Sequence, residues 1–161
     1  MIRIYRVLRK AFAHNPFDGE GAFLYGGRWS SPGVRLSYAS QHQSLAMLEY
    51  FVHLDKDDQP DDLVLGVAQV PESLPNENIE RERLPANWRD AAAPPELTRF
   101  GDGFAKRGKH CLLWVPSVLA PDENNCLLNP AHADFKKIVM LRTETLNYDS
   151  RMFGRRRRQR H

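Results

Sequence analysis

The chain is poor in cysteine, lacks long apolar runs, and carries none of the short signatures that mark common chemistries. Its two cysteines, Cys111 and Cys126, have neither metal-ligand nor redox spacing, so a reduced protein without disulfides is expected. No stretch approaches the roughly 20 apolar residues of a membrane-spanning helix. The basic amino-terminal run MIRIYRVLRKAFA lacks the uninterrupted apolar segment of a secretory signal, and a cytoplasmic location is the expectation. A Walker loop, a dinucleotide fingerprint, a nucleophile elbow and a zinc signature are all absent. His14, His42, His53, His110 and His132 are scattered. His42 and His53 fall on one expected helix but too far apart to ligate together, so no metal site is expected.

Positive charge is scarcer than the formal +3 suggests. Five arginines fall in the last seven residues, RRRRQRH, which leaves 18 basic and 20 acidic side chains up to Gly154, a balance of −2. Nucleic-acid-binding folds spread their cations over a folded face. Here the excess lies in residues 154–161, expected to be a disordered basic tail, so the body is not expected to recognise nucleic acid specifically. The other 153 residues suffice for one domain with a real core.

Along the chain, Ile2 to Leu8 alternates as a first strand, and residues 13–27 read as a glycine-containing loop. Val34 to Ala39 alternates again, with Val34, Leu36 and Tyr38 on one face. Ser40 and Gln43 have capping-box spacing, opening a helix to about Leu54 with Leu45, Leu48, Phe51 and Val52 inward. Leu63 to Val70 is a buried-strand candidate, and residues 71–95 are broken by five prolines. Glu96 to Lys106 has helical spacing despite Gly101 and Gly103. Strands follow at Cys111 to Val115, within PDENNCLLNPAH, and at Lys137 to Leu141. Short strands with few helices indicate an α+β fold.

Three polar residues stand out between Gly26 and Tyr50: Arg28, Tyr38 and Glu49. Gly26-Gly27 and Pro32-Gly33 bracket Arg28 with turns that fold it back toward the strand and helix. Glu49 sits at the border of the helix's apolar sector, where a carboxylate needs a partner or a function. Turn, strand and helix could thus line one cleft, and the set suits cleavage of the ribose–nicotinamide bond of NAD. The leaving nicotinamide starts positively charged and departs neutral, so little acid catalysis is needed. One carboxylate beneath the cationic sugar supplies the main stabilisation. An Arg fork can bind pyrophosphate or ribose oxygens, and a Tyr ring offers a stacking surface. The same residues also fit a structural Arg–Glu ion pair with a core Tyr, in a non-catalytic or nucleic-acid-binding module.

The chain resembles the RES-domain family, toxins of bacterial toxin–antitoxin pairs named for an Arg, a Glu and a Ser. The resemblance runs over residues 1–153. It is carried by YRVL at Tyr5–Leu8, GGRW at Gly26–Trp29, SYAS, the Glu49 helix, FGDGF, LWVPS at Leu113–Ser117, ENNCLLNPAHADF and DSRMF. It implies an ADP-ribosyltransferase-like split antiparallel sheet with flanking helices and an NAD-binding cleft. It further implies an enzyme that consumes NAD by hydrolysis or phosphorolysis, or transfers ADP-ribose to a protein. Glu49 would stabilise the ribosyl cation, Arg28 bind NAD and Tyr38 stack on nicotinamide. Ser117 would complete the cleft, and Arg6 would be a second phosphate or ribose contact. No cofactor is implied beyond NAD as substrate, with phosphate as an optional co-substrate. The implied partner is an antitoxin with a helix-turn-helix DNA-binding region that blocks the cleft, and a homodimer is compatible with the family.

Overall fold

The computed structural model describes residues 1–55, 57 and 59–153; the expected basic tail lies outside the described residues. Seven strands form one sheet: β1 (Ile2–Arg9), β2 (Ser37–Ser40), β3 (Leu63–Val70), β4 (Asn76–Asn78), β5 (Leu112–Pro116), β6 (Asn124–Leu128) and β7 (Val139–Thr145). Their order is β4-β5-β6-β2-β1-β3-β7. Three α-helices flank it: α1 (Glu20–Tyr25), α2 (Gln43–Phe51) and α3 (Thr98–Arg107). The fold is α+β, as expected. Its pairings are antiparallel except the outermost, where β4 joins β5 in parallel.

The sheet is almost divided in two. β1 pairs with β3 along its whole length, from Ile2↔Val70 to Arg9↔Leu63. β2 pairs with β6 over four residues. Between β1 and β2 the ladder consists of a single pair, Tyr5↔Ser40. Side-chain alternation fills both faces. Ile4, Ala39, Ala68, Val70, Leu112, Cys126 and Leu128 form one cluster spanning the seam. The other face carries two clusters, one per half. Leu36, Leu97, Phe104, Leu113 and Leu127 pack beside α3, and Val7, Ala46, Leu65, Val67 and Tyr148 pack beside α2. Both cysteines are free and buried, and burial pushes the Cys111 thiol up to about 11.

Several expectations are corrected. α1 forms inside the expected loop, entered through Gly19 at φ 74° and left through Gly26 at φ 70°, both left-handed positions that suit glycine. Strand β2 starts at Ser37, not Val34. The Ser40–Gln43 capping box does not form, because the Ser40 hydroxyl donates to Asn125 Oδ1 at 2.7 Å and His42 precedes the helix. On α2, Leu45 and Ala46 are buried, whereas Leu48 and Val52 are 38% and 49% exposed.

α2 is held in place by the carboxy-terminal segment. Tyr148 Oη donates to the Met47 carbonyl, and its ring packs with Phe51 and Phe153 at centroid distances of 5.5 and 6.4 Å. α3 approaches the 26–33 turn closely: Gly101 N–H donates to the Trp29 carbonyl at 2.9 Å. A Cβ on Gly101 would lie 2.1 Å from that carbonyl oxygen, whereas one on Gly103 would meet only the flexible Arg107 terminus at 3.1 Å. Gly101→Ala should therefore cost about 1–3 kcal/mol in urea unfolding, as overpacking does. Gly103→Ala should gain up to about 1 kcal/mol through helix propensity. Equal effects of the two would show that the α3 contact does not constrain the fold.

Candidate active site

A cleft of about 680 Å³ opens where the two halves of the sheet part. Residues Tyr5 to Arg9 of β1, Tyr38 to Ser40 of β2 and the segment from Phe12 to Tyr25 contribute to its walls. α2 presents Ala46, Glu49 and Tyr50 from one helical face, and His53 follows in the turn beyond its end. Because β1 pairs along its whole length with β3 but with β2 only at Tyr5↔Ser40, other backbone N–H and C=O groups of β1 are left facing this gap. The size suits a small-molecule ligand, for which pockets run from about 300 to 1,000 Å³.

Glu49 is the carboxylate with the most defined setting. Its Oε1 accepts from Ser117 Oγ at 2.7 Å and from Asn125 Nδ2 at 2.7 Å. Each donor is itself oriented. Ser117 Oγ accepts the N–H groups of Leu119 and Ala120, both at 3.1 Å, which leaves its proton for Glu49. Asn125 Oδ1 accepts from Ser40, so its NH₂ faces the carboxylate. Hydrogen bonds to a charged group contribute about 1.5–3 kcal/mol each. One oxygen of Glu49 is thus fixed from β2, β5 and β6 together. Its Oε2 receives no protein hydrogen bond among the described residues.

Arg6 crosses the seam where the ladder stops. Its Nη1 donates to the Tyr38 carbonyl at 2.8 Å and to Ser37 Oγ at 3.3 Å. Its Nε is buried without a partner. Burial lowers the guanidinium's pKa, and Asp18 and Tyr38 offset part of that effect. The group remains cationic. It is a desolvated cation with unused donor capacity at the cleft, a setting that favours an anionic ligand. Tyr38 lines the cleft, packs against the α3-side cluster, and has its hydroxyl engaged with the Trp29 N–H at 3.2 Å and Ser30 Oγ at 2.8 Å. Burial raises its pKa, so at neutral pH it is a phenol with a flat face rather than a base.

The structure therefore brings Glu49, Tyr38 and Arg6 to one cleft and puts Ser117 behind Glu49. Arg28 is not among the lining residues, contrary to the expectation that it shares the cleft. Its guanidinium donates to the carbonyls of Trp88 at 3.1 Å and Ala91 at 3.5 Å, so no Arg28–Glu49 ion pair forms. Asn125, Ser40, Tyr5 and Tyr50 join the site without having been singled out in the sequence. For Asn125 the signal was present: an Asn inside a strand is disfavoured and asks for a partner. No group of three or more His, Cys, Asp or Glu side chains suited to a metal ion occurs among the described residues.

Chemically, the site offers one anchored carboxylate, one desolvated guanidinium and aromatic surfaces at a sheet opening. Asp18 and Glu20 also line the cleft, engaged with the α1 backbone and with Arg35, and no second carboxylate is hydrogen-bonded alongside Glu49 among the described residues. Ser117 is fully buried and its oxygen already accepts two backbone N–H groups, which does not suit a nucleophile. Such an arrangement is able to stabilise a cation beside Glu49 and to pair an anion with Arg6.

A family model described as RES domain matches residues 3–149. The Prs ADP-ribosylating toxin of Sphingobium sp. (strain YBL2) is 35% identical over 145 residues, which cover 89% of this chain and 90% of that protein. Toxin Res of Yersinia enterocolitica is 34% identical over 136 residues, covering 83% and 87%. A chain of the crystal structure of the M. tuberculosis MbcT–MbcA toxin–antitoxin complex superposes with a TM-score of 0.70 at 15% identity, over 91% of this chain and 84% of that one, a likeness of fold. From the matched span and these relatives, the chain belongs to the RES domain family.

Proposed function

We propose that the protein is the toxin of a toxin–antitoxin pair and acts by breaking the nicotinamide–ribose bond of NAD. The observation that carries this reading is Glu49, a single carboxylate fixed through one oxygen and open at the other, in a cleft shared with the buried guanidinium of Arg6. The bond from ribose C1′ to the pyridinium nitrogen breaks, and its electron pair leaves with neutral nicotinamide. Glu49 stabilises the resulting oxocarbenium ion. Water or phosphate adds at C1′, and water's proton passes to solvent. Arg6 binds pyrophosphate or ribose oxygens, and Tyr38 stacks on the nicotinamide. Ser117 and Asn125 hold Glu49 in position, which avoids reorganisation when the charge develops.

Arg28 keeps a substrate-binding role in this proposal. It sits on the turn that grips the Tyr38 hydroxyl, and its present partners are two neutral carbonyls, one at 3.5 Å. A phosphate is a stronger partner for a guanidinium than either. Growth arrest follows from NAD depletion. The antitoxin's role is to cover the cleft, whose rim exposes Phe12, Leu24 and Tyr25 at 62%, 52% and 82%. Apolar side chains left this open suit a covering partner.

Transfer of ADP-ribose to a protein shares the bond-breaking step and differs in the acceptor. The likeness to a relative named for ADP-ribosylation favours keeping it as a second reading. Incubating the purified chain with NAD, with and without phosphate and with a bacterial lysate, separates the outcomes by product. Free ADP-ribose or its phosphate ester supports hydrolysis or phosphorolysis, whereas labelled protein supports transfer. No nicotinamide release under any of these conditions would remove the proposal.

Two variants test the residue roles. Glu49→Gln preserves the hydrogen-bond acceptor for Ser117 and Asn125 and removes the charge, so it should lower turnover by about 10²–10³ with unfolding unchanged. Full activity in this variant would rule out charge stabilisation by Glu49. Arg28→Ala should raise KM for NAD about tenfold or more, the loss of one charge-assisted contact. A change confined to thermal stability would reduce Arg28 to a tie for the 88–91 turn.

A further inference from the structure

A second cavity, of about 830 Å³, lies at the β4 edge of the sheet, separated from the seam by β5, β6 and β2. Its lining is strongly cationic: Arg83, Arg99, Arg107 and Lys109, with His110 beside them. Two carboxylates, Glu77 and Glu96, share the lining. Arg107 is neutralised by Glu77 at 2.8 Å. Arg83, Arg99 and Lys109 make no ion pair among the described residues. His110 Nδ1 is buried without a hydrogen-bond partner.

This concentration is unusual for the chain, whose body up to Gly154 carries 18 basic against 20 acidic side chains. Unpaired cations gathered in a concavity repel one another, and an anion relieves that repulsion. The remaining lining is apolar. Ile79, Leu84 and Pro85 form part of the wall, and the Arg83 guanidinium lies 5.9 Å from the Phe100 ring centroid. The volume matches small-ligand pockets of about 300–1,000 Å³.

We infer that this cavity is a binding site for a phosphate-bearing small molecule, separate from the NAD cleft. Arg83, Arg99 and Lys109 supply the phosphate contacts. The wall around Phe100 takes a flat apolar group, as a nucleoside diphosphate would present. A peptide would use the free edge of β4, and that strand is only three residues long.

Calorimetric titration of the full chain with ADP, inorganic triphosphate, adenosine and hexaglutamate tests the inference without passing through NAD chemistry. ADP and triphosphate should bind, with adenosine and hexaglutamate at least tenfold weaker. ADP binding tighter than triphosphate identifies a nucleotide site, and equal affinities identify a polyphosphate site. The double variant Arg99→Glu/Lys109→Glu, at exposed positions, should weaken ADP at least tenfold, about what losing one charge-assisted hydrogen bond produces. The single variant Arg83→Ala repeats the test should the double variant unfold at a lower temperature. Arg142→Glu, on β7 at the opposite edge of the sheet, should leave ADP affinity within twofold. Undiminished ADP binding in the cavity variants would place the anion elsewhere and overturn the inference. Hexaglutamate binding as tight as ADP would instead make the cavity a protein-docking surface.

Discussion

Two adjacent strands that share one residue pair leave backbone groups facing each other across a gap, and each must find a partner or water. Between β1 and β2 the single pair Tyr5↔Ser40 joins halves that are otherwise well knit. The β1–β3 ladder runs over eight residues and the β2–β6 ladder over four. Arg6 meets part of the deficit by donating to the Tyr38 carbonyl. It can do so only by lying in the gap, largely out of water. The residue that repairs the seam is therefore also the desolvated cation of the cleft. Sheet closure and the charge of the cleft draw on the same guanidinium, which explains how an Arg at the middle of a strand is tolerated.

The position of Glu49 follows from the same opening. A helix crossing a continuous sheet would bury its whole inner face in side chains. α2 instead turns Ala46, Glu49 and Tyr50 to the cleft while Leu45 packs into the core. Its carboxylate is then reached by Ser117 beyond β5 and Asn125 on β6, elements on the far side of the seam from β1. These bonds tie the helix to the opposite half of the sheet. They also fix the carboxylate before any ligand arrives, the condition under which a charge stabilises a developing cation most effectively.

Much of this could be read in the sequence where local patterns and tertiary demands agree. β3 was legible because it is buried on both faces and reads as an apolar run. β1, α3 and β5 were legible to within a residue or two, and β6 as a short strand within a longer run. α1 was not, because Gly19 and Gly26 read as loop punctuation when they are the helix's ends. β4 was not, because Asn76–Asn78 has no strand propensity and is recruited by pairing with β5. Ser40 misled in an instructive way. Its spacing to Gln43 is that of a capping box, but a partner 85 residues away takes its hydroxyl. Leu48 and Val52 misled because a helix beside a cleft does not divide into inner and outer faces alone. Of the site, the carboxylate and phenol were visible in spacing. Arg28's separation from them was not, since it depends on carbonyls 60 residues away.

The GGRW run makes sense as a frame for Tyr38. Gly26 adopts φ 70° to leave α1, and Gly27 lies where a Cβ would come within 2.7 Å of the Tyr38 hydroxyl. Trp29 is buried, gives its N–H to that hydroxyl and accepts Gly101 N–H through its carbonyl. Its ring meets Phe100 edge-on at 6.2 Å. Two residues on, Asp102 accepts from both the backbone N–H and the hydroxyl of Ser31. Each residue of the run is thus used, and the direction of use is consistent. α3 fixes the turn, and the turn fixes the hydroxyl end of a tyrosine that lines the cleft. A tyrosine restrained in this way loses little further entropy on contact with a ligand, the property that the proposed stacking role asks for.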